Sequence, residues 1–258
     1  MQTIKNGSKG EDVKKLQTIL GITADGVFGK NTEAKVKEFQ KSHGLTADGV
    51  VGPKTWDMLL KYEKKECITI AKAPLTKHIT KKKRDIKYLV IHYTATSSSK
   101  DGSAIKVRNG WQNGSASASA DFVVDDKNII QANPDLKNYY CWAVGDGNGK
   151  YGITNTNSIS IEMCSTLEKG TSAAVPNHKG WSLSEEVLDN AEKLAKLLMK
   201  EYNIPFERVV RHYDASRKDC PGIVGWNDDC LYDEKSGKRT TSKNNSKKWL
   251  EWKERLKK

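Results

Sequence analysis

The first sixty residues carry apolar side chains at spacings of three and four, which is the pattern of short amphipathic helices. Three such runs follow one another, with glycine-containing polar stretches between them. The positions that define the runs are Val13, Leu16 and Leu20, then Ala34, Val36 and Phe39, and finally Trp56, Leu59 and Leu60. The pattern predicts three short helices joined by two loops.

The two predicted loops are copies of one another. Residues 24–32 read ADGVFGKNT and residues 47–55 read ADGVVGPKT, so the repeat has a period of 23 residues. Asp-Gly pairs favour turns, and Thr32 and Thr55 stand near the start of the helix that follows each turn. Internal repeats of this kind indicate a duplicated supersecondary unit. Residues 1–62 are therefore predicted to form a small three-helix domain.

The segment 63–84 has no helical period and ends in the charge run Lys81-Lys-Lys-Arg. It is interpreted as a linker or as the opening of a second domain, with residues 81–84 forming a solvated basic face. His78, within this segment, is expected to be a surface residue.

Apolar runs rich in β-branched residues predict the strands of the second domain, residues 85–258. The runs span residues 86–93, 120–125, 128–131 and 158–163. A long amphipathic helix follows, because Ser182 and Glu185 form a capping box and an apolar stripe continues to the Asn203-Ile-Pro break. Strands that alternate with helices favour an α/β fold with a mixed central β-sheet flanked by helices.

The last thirty residues are predicted to hold one more element. Residues 232–245 are polar and are interpreted as a loop. The apolar spacing of Trp249, Trp252 and Leu256 then predicts a final amphipathic helix.

Charge and composition limit the class of partner. The chain has 44 Lys and Arg against 32 Asp and Glu, a formal net charge of +12, which favours a polyanion such as nucleic acid, an anionic membrane or an anionic cell wall. Lysine far outnumbers arginine and is mixed with acidic residues, so nucleic acid is the weaker option. The N-terminus has no apolar run of signal-peptide length and no stretch is long enough to span a membrane. Synthesis in the cytoplasm and no membrane insertion are therefore expected.

Five cysteines without regular spacing argue against a disulfide framework in a chain of this size. Most of them are expected to be free thiols, and Cys67, Cys141 and Cys164 are expected to be buried or half-buried, because a free cysteine behaves as a small apolar residue.

Three residues have the side chains of a zinc site. His212 and Cys220 flank the segment DASRKD, which can loop around an ion, and His92 ends a buried strand. Two imidazoles and a thiolate are good zinc ligands, and three protein ligands with one open position are typical of a catalytic zinc. Zinc is therefore the predicted cofactor.

Two further residues are candidates for catalysis. Glu162 is the only acid in the predicted strand 158–163, where a carboxylate is costly to bury. Lys218 precedes Cys220 by two residues, so its ammonium can point into the same loop. A water activated by zinc still needs a proton carrier and a group that stabilises an oxyanion, and these residues have the required chemistry. The aromatic and glycine-rich residues 138–150, which include Trp142, suit the wall of a groove.

The N-terminal segment resembles the peptidoglycan-binding domain found in many cell-wall hydrolases. The matching elements are Leu16-Gln17, the Asp25-Gly26 loop, Phe39-Gln40 and the Asp48-to-Trp56 stretch. The resemblance implies that bacterial peptidoglycan is the partner, bound near the repeated loops.

The second domain resembles the zinc-dependent N-acetylmuramoyl-L-alanine amidases of the type-2 family. The elements that carry this resemblance are VIHYTAT (90–96), ADFVVDD (120–126), NTNSISIEMC (155–164) and RHYDASRKDCPG (211–222). It implies the type-2 amidase fold, with zinc on His92, His212 and Cys220, acid/base catalysis by Glu162 and transition-state stabilisation by Lys218. Predicted substrate contacts are Thr94, Asn157 and Trp142.

One departure from the family pattern changes the expected chemistry. Many relatives carry an aromatic residue and a histidine just before the strand that here begins with Ala120 and Asp121. A tyrosine that assists catalysis in some relatives is therefore missing, which places more of the proton transfer on Glu162.

The expected function is hydrolysis of the bond between N-acetylmuramic acid and L-alanine, as in a phage-type endolysin that is made in the host cytoplasm and reaches the wall after release. A host autolysin is the alternative origin. Two other functions stay open: a non-catalytic peptidoglycan-recognition protein, and a glycan-cleaving lysozyme that uses Asp121, Asp125 and Glu162. The target species and the oligomeric state are not predicted.

Overall fold

The computed structural model describes residues 1–66, 68–95, 98–168, 180–227, 231–233, 238–240 and 246–257. The chain divides into two compact units, Met1–Cys67 and Ile68–Lys258. Cys67 and Cys230 lie outside the described residues, whereas Cys141, Cys164 and Cys220 are free and buried. Among the described residues, no helix is long and apolar enough to cross a membrane.

The first unit contains the three predicted helices: α1 (Glu11–Ile19), α2 (Lys30–Ser42) and α3 (Pro53–Glu66). Their apolar faces meet in one core, together with side chains from the connecting loops. The buried members of this core are Ile4, Val13, Leu16, Phe28, Val36, Phe39, Val51, Trp56 and Leu59.

The repeated sequence motif builds the same hydrogen-bond network twice. In the first copy, Gln17 Nε2 donates to Asp25 Oδ1 at 2.7 Å and to Thr32 Oγ1 at 3.1 Å, and Gln17 Oε1 accepts from the Gly26 amide at 2.8 Å. The glutamine thus fastens the Asp-Gly turn to the helix that follows it. The motif has an architectural role, because its polar side chains hydrogen-bond to one another.

The second copy repeats this arrangement. Gln40 Nε2 donates to Asp48 Oδ1 at 2.9 Å and to Thr55 Oγ1 at 3.2 Å, while Gln40 Oε1 accepts from the Gly49 amide at 2.9 Å. Gln40 is buried, as is its counterpart in the first copy, so each network also satisfies a buried amide side chain.

The second unit has the α/β architecture that the sequence predicts, with four helices and twelve short strands in the described residues. The helices are α4 (Ser103–Asn113), α5 (Glu185–Tyr202), α6 (His212–Ser216) and α7 (Lys247–Glu254). The strands are β1 (Ile70–Lys72), β2 (Ile79–Lys81), β3 (Tyr88–Tyr93), β4 (Phe122–Val124), β5 (Ile129–Gln131), β6 (Tyr139–Cys141), β7 (Ser158–Met163), β8 (Thr166–Leu167), β9 (Trp181–Ser182), β10 (Val209–Arg211), β11 (Leu231–Asp233) and β12 (Lys238–Thr240).

Six of these strands form a mixed sheet in the order β1-β5-β4-β7-β3-β10. Strands β4, β7, β3 and β10 run parallel, and β5 is antiparallel to β4. Parallel strands end at the same edge of a sheet, so the residues at the carboxyl ends of β7, β3 and β10 are neighbours. Ligands of open α/β sheets bind at this edge.

Helix α5 covers one face of the sheet. Its buried stripe, which includes Val187, Ala191 and Leu194, packs in one core with Leu89 and Ile161 of the sheet. Trp226 and the two tryptophans of α7 extend the core, with all three ring centroids 5.7 Å apart. The predicted long helix and the predicted final helix are both present.

Helix α5 begins two residues later than the capping box predicts. Ser182 lies in β9 and pairs with Thr166, so it is part of a strand and does not cap the helix. Ser184 takes the N-cap position instead, and its hydroxyl accepts from the Val187 amide at 3.4 Å. At the other end Asn203 adopts the left-handed conformation that ends many helices.

The segment 63–84 is divided between the two units. Helix α3 continues to Glu66, and residues 68–84 belong to the second unit, where they supply β1 and β2. These strands have only three residues each, which is too short for an alternating pattern to be visible in the sequence.

Arg84 is buried, although the sequence predicts a solvated basic face for residues 81–84. Its guanidinium forms an ion pair with the buried Asp121, at 2.9 Å from Nη1 to Oδ1, and also donates to the carbonyls of Tyr139 and Ser158. A charge run does not reveal which of its members has a buried partner, and this partner is 37 residues away.

Three smaller features of the structure differ from the predictions. His78 is half-buried, with Nδ1 2.9 Å from the Trp111 carbonyl oxygen. The predicted loop 232–245 contains part of the β11–β12 hairpin, and residues 234–237 and 241–245 of it lie outside the described residues. Helix α4 has no counterpart among the predicted elements, because its many polar residues and Gly110 hide the helical period.

Candidate functional site

The candidate site lies at the carboxyl ends of three neighbouring parallel strands. The register of β3 and β7 pairs His92 with Glu162. Strand β10 pairs with the other side of β3, so that Arg211 faces Ile91 and His212 follows directly as the first residue of α6. The fold thus brings together two histidines that are 120 residues apart and the one acid of β7.

The loop after β10 carries the third ligand back to the site. Helix α6 ends at Ser216, and the left-handed backbone of the next residue, Arg217 (φ 65°), reverses the chain direction. The Tyr213 amide donates to the Cys220 carbonyl oxygen at 2.9 Å, which closes the loop. As a result, Cys220 Sγ lies 3.7 Å from His92 Nδ1.

His92, His212 and Cys220 form a compact cluster of potential metal ligands. One ligand atom from each lies within 4.8 Å of the other two, and all three side chains are buried. Burial, together with the nearby His212 and Lys218, lowers the pKa of His92 well below its ordinary value, so the ring is neutral and can coordinate a cation. Imidazole nitrogen and thiolate sulfur are both common zinc ligands, so this donor set could hold a zinc ion.

The thiol of Cys220 is protonated in the metal-free cluster. Burial raises its pKa well above the ordinary range, and the negative charge of Glu162 adds to this effect, whereas the Tyr93 amide donates to the sulfur and opposes it. A bound dication reverses this balance, because a coordinated thiol loses its proton. The Tyr93 amide therefore supports the thiolate form that a metal requires.

Glu162 lies next to this cluster. Its Oε1 is 3.8 Å from His92 Nδ1, and the side chain is 16% exposed. Burial raises the pKa of Glu162 to about 8, against the opposing charge of Lys218. Oε2 is buried and has no hydrogen-bond partner among the described residues. The carboxyl group can therefore exchange a proton near neutral pH.

Asp146 is a site residue that sequence reasoning missed. Its Oδ1 lies 2.8 Å from His212 Nε2, and its Oδ2 lies 3.9 Å from Lys218 Nζ. Burial alone would raise the pKa of Asp146, but the hydrogen bond from His212 and the charge of Lys218 keep it below its ordinary value. The only signal was its place in the glycine-rich segment 145–149, which does not identify a partner 66 residues away.

A cavity of about 520 Å³ opens above the cluster. Its floor is formed by the three potential ligands and Glu162, and its rim carries the cations Arg217 and Lys218. The other lining residues are Tyr93, Thr94, Ala95, Val107, Trp111, Ala116, Ala118, Ser119, Trp142, Ala143 and Asp219. The small side chains Ala116, Ala118 and Ser119 line the wall just before Ala120.

The predicted substrate contacts separate into two groups. Thr94 and Trp142 line the cavity. Asn157 does not, because it precedes β7 at the end opposite Glu162, about 17 Å away at the usual strand rise. Its side chain instead accepts from the Thr154 amide at 2.8 Å and donates to the Gly152 carbonyl at 2.8 Å, which shapes the turn before the strand.

Two of the carboxylates proposed for a lysozyme, those of Asp121 and Asp125, form hydrogen bonds within the protein. Asp121 accepts from Arg84 and from the Ser160 amide at 2.8 Å, and Asp125 accepts from the Ala104 amide at 2.9 Å. Both are buried and neither lines the cavity. Neither of the two aspartates proposed for glycoside hydrolysis therefore lies beside Glu162 in the cavity, where a second carboxylate is required.

Both units of the chain match known protein families. Residues 82–223, more than half of the chain, match the family described as N-acetylmuramoyl-L-alanine amidase. Residues 9–59 match a family described as a peptidoglycan binding domain. Both predicted resemblances are thereby confirmed.

Individual relatives agree with the family match. N-acetylmuramoyl-L-alanine amidase CwlA of Bacillus subtilis (strain 168) is 34% identical over 134 residues, which cover 52% of this chain and 42% of CwlA. N-acetylmuramoyl-L-alanine amidase CwlH of the same strain is 35% identical over 135 residues, covering 52% of this chain and 46% of CwlH. The chain thus spans less than half the length of these curated relatives.

A solved structure supports the same fold. A mutant endolysin from Bacillus subtilis is 27% identical, with a TM-score of 0.51, and the match covers 74% of this chain and 99% of that chain. The mixed sheet flanked by helices, the site at its edge and the family match over residues 82–223 agree with one another. The chain belongs to the N-acetylmuramoyl-L-alanine amidase family and carries a peptidoglycan binding domain ahead of its amidase region.

Proposed function

We propose that this chain is a cell-wall hydrolase that cleaves the amide bond between the lactyl group of N-acetylmuramic acid and L-alanine in peptidoglycan. The observation that carries the proposal is the cluster of His92, His212 and Cys220 beside Glu162 on the floor of one cavity. The family match supports the same reaction.

Zinc is the cofactor that best fits the cluster. The three donors are buried, lie within 4.8 Å of one another and come from two strand ends and one loop that the fold holds together. The chemistry that zinc supplies when bound is a lowered pKa for water and polarisation of a carbonyl oxygen. Three protein ligands leave a position open for that chemistry, as in other catalytic zinc sites.

Glu162 carries the proton in the proposed reaction. It accepts a proton as water adds to the carbonyl carbon, and it donates that proton to the amine of L-alanine as the C–N bond breaks. A carboxyl group with a pKa of about 8 can perform both transfers near neutral pH. This chain has Ala120 and Asp121 where many relatives carry an aromatic residue and a histidine, so more of the proton transfer falls on Glu162.

Lys218 stabilises the negative charge that develops on the carbonyl oxygen. It lines the same cavity, and its positive charge lowers the pKa values of both His92 and Glu162, which supports this role. A cation already in position needs little reorganisation during the reaction, which is the basis of oxyanion stabilisation.

Trp142 binds a sugar ring of the substrate at the rim of the cavity. Its side chain is 43% exposed, yet its orientation is fixed, because Nε1 donates to Thr80 Oγ1 at 3.0 Å and the His78 ring packs edge-on at 5.3 Å. A fixed and exposed indole offers an apolar face to a sugar at little entropic cost. Thr94, on the same cavity, contributes a polar contact.

The first unit anchors the enzyme to the wall through bacterial peptidoglycan. The net charge of +12 adds attraction to anionic wall polymers. We further propose a phage-type endolysin that is made in the host cytoplasm and acts on the wall after release, because endolysin structures are similar to this chain.

The proposal is tested by removing and restoring the metal. We expect the chelated protein to release no amines from purified walls, and the addition of about one zinc per chain to restore release. Reducing sugars should not increase under either condition. Full amine release without metal would contradict the zinc site. An increase in reducing sugars would indicate a lysozyme. Binding of zinc or of the wall without cleavage of any bond would indicate a recognition protein.

A further inference from the structure

Asp146 forms a hydrogen bond to His212, one of the proposed metal ligands. It is not among the residues that line the cavity, yet its Oδ1 lies 2.8 Å from Nε2 of the buried His212. Among the described residues, no hydrogen-bond acceptor is found for the other nitrogen of that ring, Nδ1. The two nitrogens of one potential ligand thus have different surroundings.

We propose that Asp146 is a positioning residue that fixes the tautomer and the ring orientation of His212 for metal binding. The inference rests on the proposed zinc site. A carboxylate only accepts hydrogen bonds, so the proton of the neutral His212 ring stays on Nε2. The lone pair then lies on Nδ1, which is left to bind the cation. A carboxylate behind a ligating histidine also makes the ring a stronger donor.

The backbone around Asp146 is built to hold this contact. Asp146 lies in a short 3₁₀ turn, Gly145–Gly147, that packs directly on α6. A Cβ atom on Gly147 would lie 2.4 Å from the Ala215 carbonyl oxygen, so only glycine permits this approach. The turn is therefore fixed against the helix that begins at His212.

A second anchor fixes the chain just before the turn. Asn155 Oδ1 accepts from the amides of Ala143 and Val144 at 3.0 and 2.7 Å. Asp146 is thus held on one side by Asn155 and on the other by the contact of Gly147 with α6. Its carboxylate does not need to give up much conformational freedom when it binds the imidazole.

The contact with His212 matters more than the contact with Lys218. The Lys218 ammonium is 3.9 Å from Asp146 Oδ2 and both side chains are exposed to solvent, where ion pairs contribute little. The 2.8 Å hydrogen bond joins the Asp146 carboxylate to a buried imidazole, and hydrogen bonds to an ionised group are about twice as strong as neutral ones.

The test compares Asp146→Ala and Asp146→Asn with Asp85→Asn, a control at an exposed aspartate. Two quantities are measured on the full chain: the zinc dissociation constant, by competition with a chelator, and the His212 tautomer in metal-free protein, by the ¹⁵N chemical shifts of the ring. We expect Asp146→Ala to weaken zinc binding by about 10- to 100-fold and to give a mixture of tautomers. Asp146→Asn keeps an oxygen acceptor, so it should hold the Nε2–H tautomer and lose less affinity.

The result that overturns the inference is an Asp146→Ala protein with unchanged zinc affinity and a single Nε2–H tautomer. Asp146→Asn preserves side-chain volume, so it answers the same question if the alanine variant does not fold. A wild-type protein that binds no zinc would contradict the proposed function, while the tautomer measurement would still judge the role of Asp146.

Discussion

His92 Nδ1 lies 3.8 Å from Glu162 Oε1, because the parallel strands β3 and β7 are in register at these two residues. One backbone pairing therefore fixes the distance between a potential metal ligand and the proposed proton carrier. This arrangement does not depend on a flexible loop, and it leads to predictions that separate catalysis from folding.

Glu162→Gln should lower amidase activity by about 10²- to 10⁴-fold, the usual contribution of a general acid or base. Glutamine has nearly the same shape but cannot transfer the proton, so zinc content and wall binding should stay unchanged. The measurement is the rate of amine release from purified walls, with Glu254→Gln at an exposed surface site as the matched control. Near-normal activity in Glu162→Gln would remove this residue from the mechanism.

The stability of the metal-free protein should fall as the pH rises. The pKa of Glu162 is about 8 in the folded state and near 4.5 when unfolded, so the folded state binds the proton more tightly. The resulting stability is fully present below about pH 4.5 and is lost as the pH rises through about 8, at up to about 1.4 kcal/mol per unit.

The Glu162→Gln variant has no carboxyl group at this position. Its stability therefore serves as the reference for the pH dependence of the wild type. The variant should gain stability relative to the wild type by on the order of a few kcal/mol between about pH 5 and pH 8. Urea unfolding of both chelated proteins measures the difference. Parallel curves for the two proteins over this range would show that Glu162 keeps an ordinary pKa.

The buried ion pair of Arg84 and Asp121 should be essential for the stability of the second unit. Replacing either residue alone, as in Arg84→Met or Asp121→Ala, leaves a buried charge without its partner and should cost about 3–5 kcal/mol of unfolding free energy. Breaking the exposed pair Lys87–Asp85 should cost less than about 1 kcal/mol. Denaturant unfolding compares the two pairs, and equal costs would count against the buried role of Arg84.

The duplicated glutamines should be equivalent in the first unit. Gln17→Ala and Gln40→Ala each leave a turn amide and an aspartate without their buried partner, at a cost of about 1–3 kcal/mol. Hydrogen exchange at the Gly26 and Gly49 amides should accelerate, while Lys41→Ala on the exposed face of α2 serves as the control.

Wall binding distinguishes this architectural role from direct recognition. If the networks only support the fold, both glutamine variants should bind walls normally at temperatures where the first unit stays folded. A loss of binding by a fully folded variant would instead make the glutamine part of the binding surface.

The sequence was sufficient where local pattern and chemistry coincide. Helices α1 to α3, strand β7 and helix α5 follow from periodicity. The three potential ligands follow from residue type and from their positions at two strand ends and in one loop. It was insufficient where a role depends on a distant partner. Arg84 looks like part of a basic surface until Asp121 is placed beside it, and Asp146 is an ordinary loop residue until α6 packs on Gly147.

Asn157 illustrates a different limit. It belongs to the same motif as Glu162, but the strand between them separates the two side chains, so proximity in sequence was misleading. Ser182 shows the same effect on a smaller scale, because its pairing with Thr166 in β9 prevents it from capping α5.

Mass spectrometry of wall fragments digested by the zinc-loaded protein tests the central claim most directly. The account predicts stem peptides that begin with a free L-alanine amine and glycan strands whose N-acetylmuramic acid residues carry a free lactyl carboxylate. Fragments with newly formed reducing ends and peptides still attached to the lactyl group would contradict it.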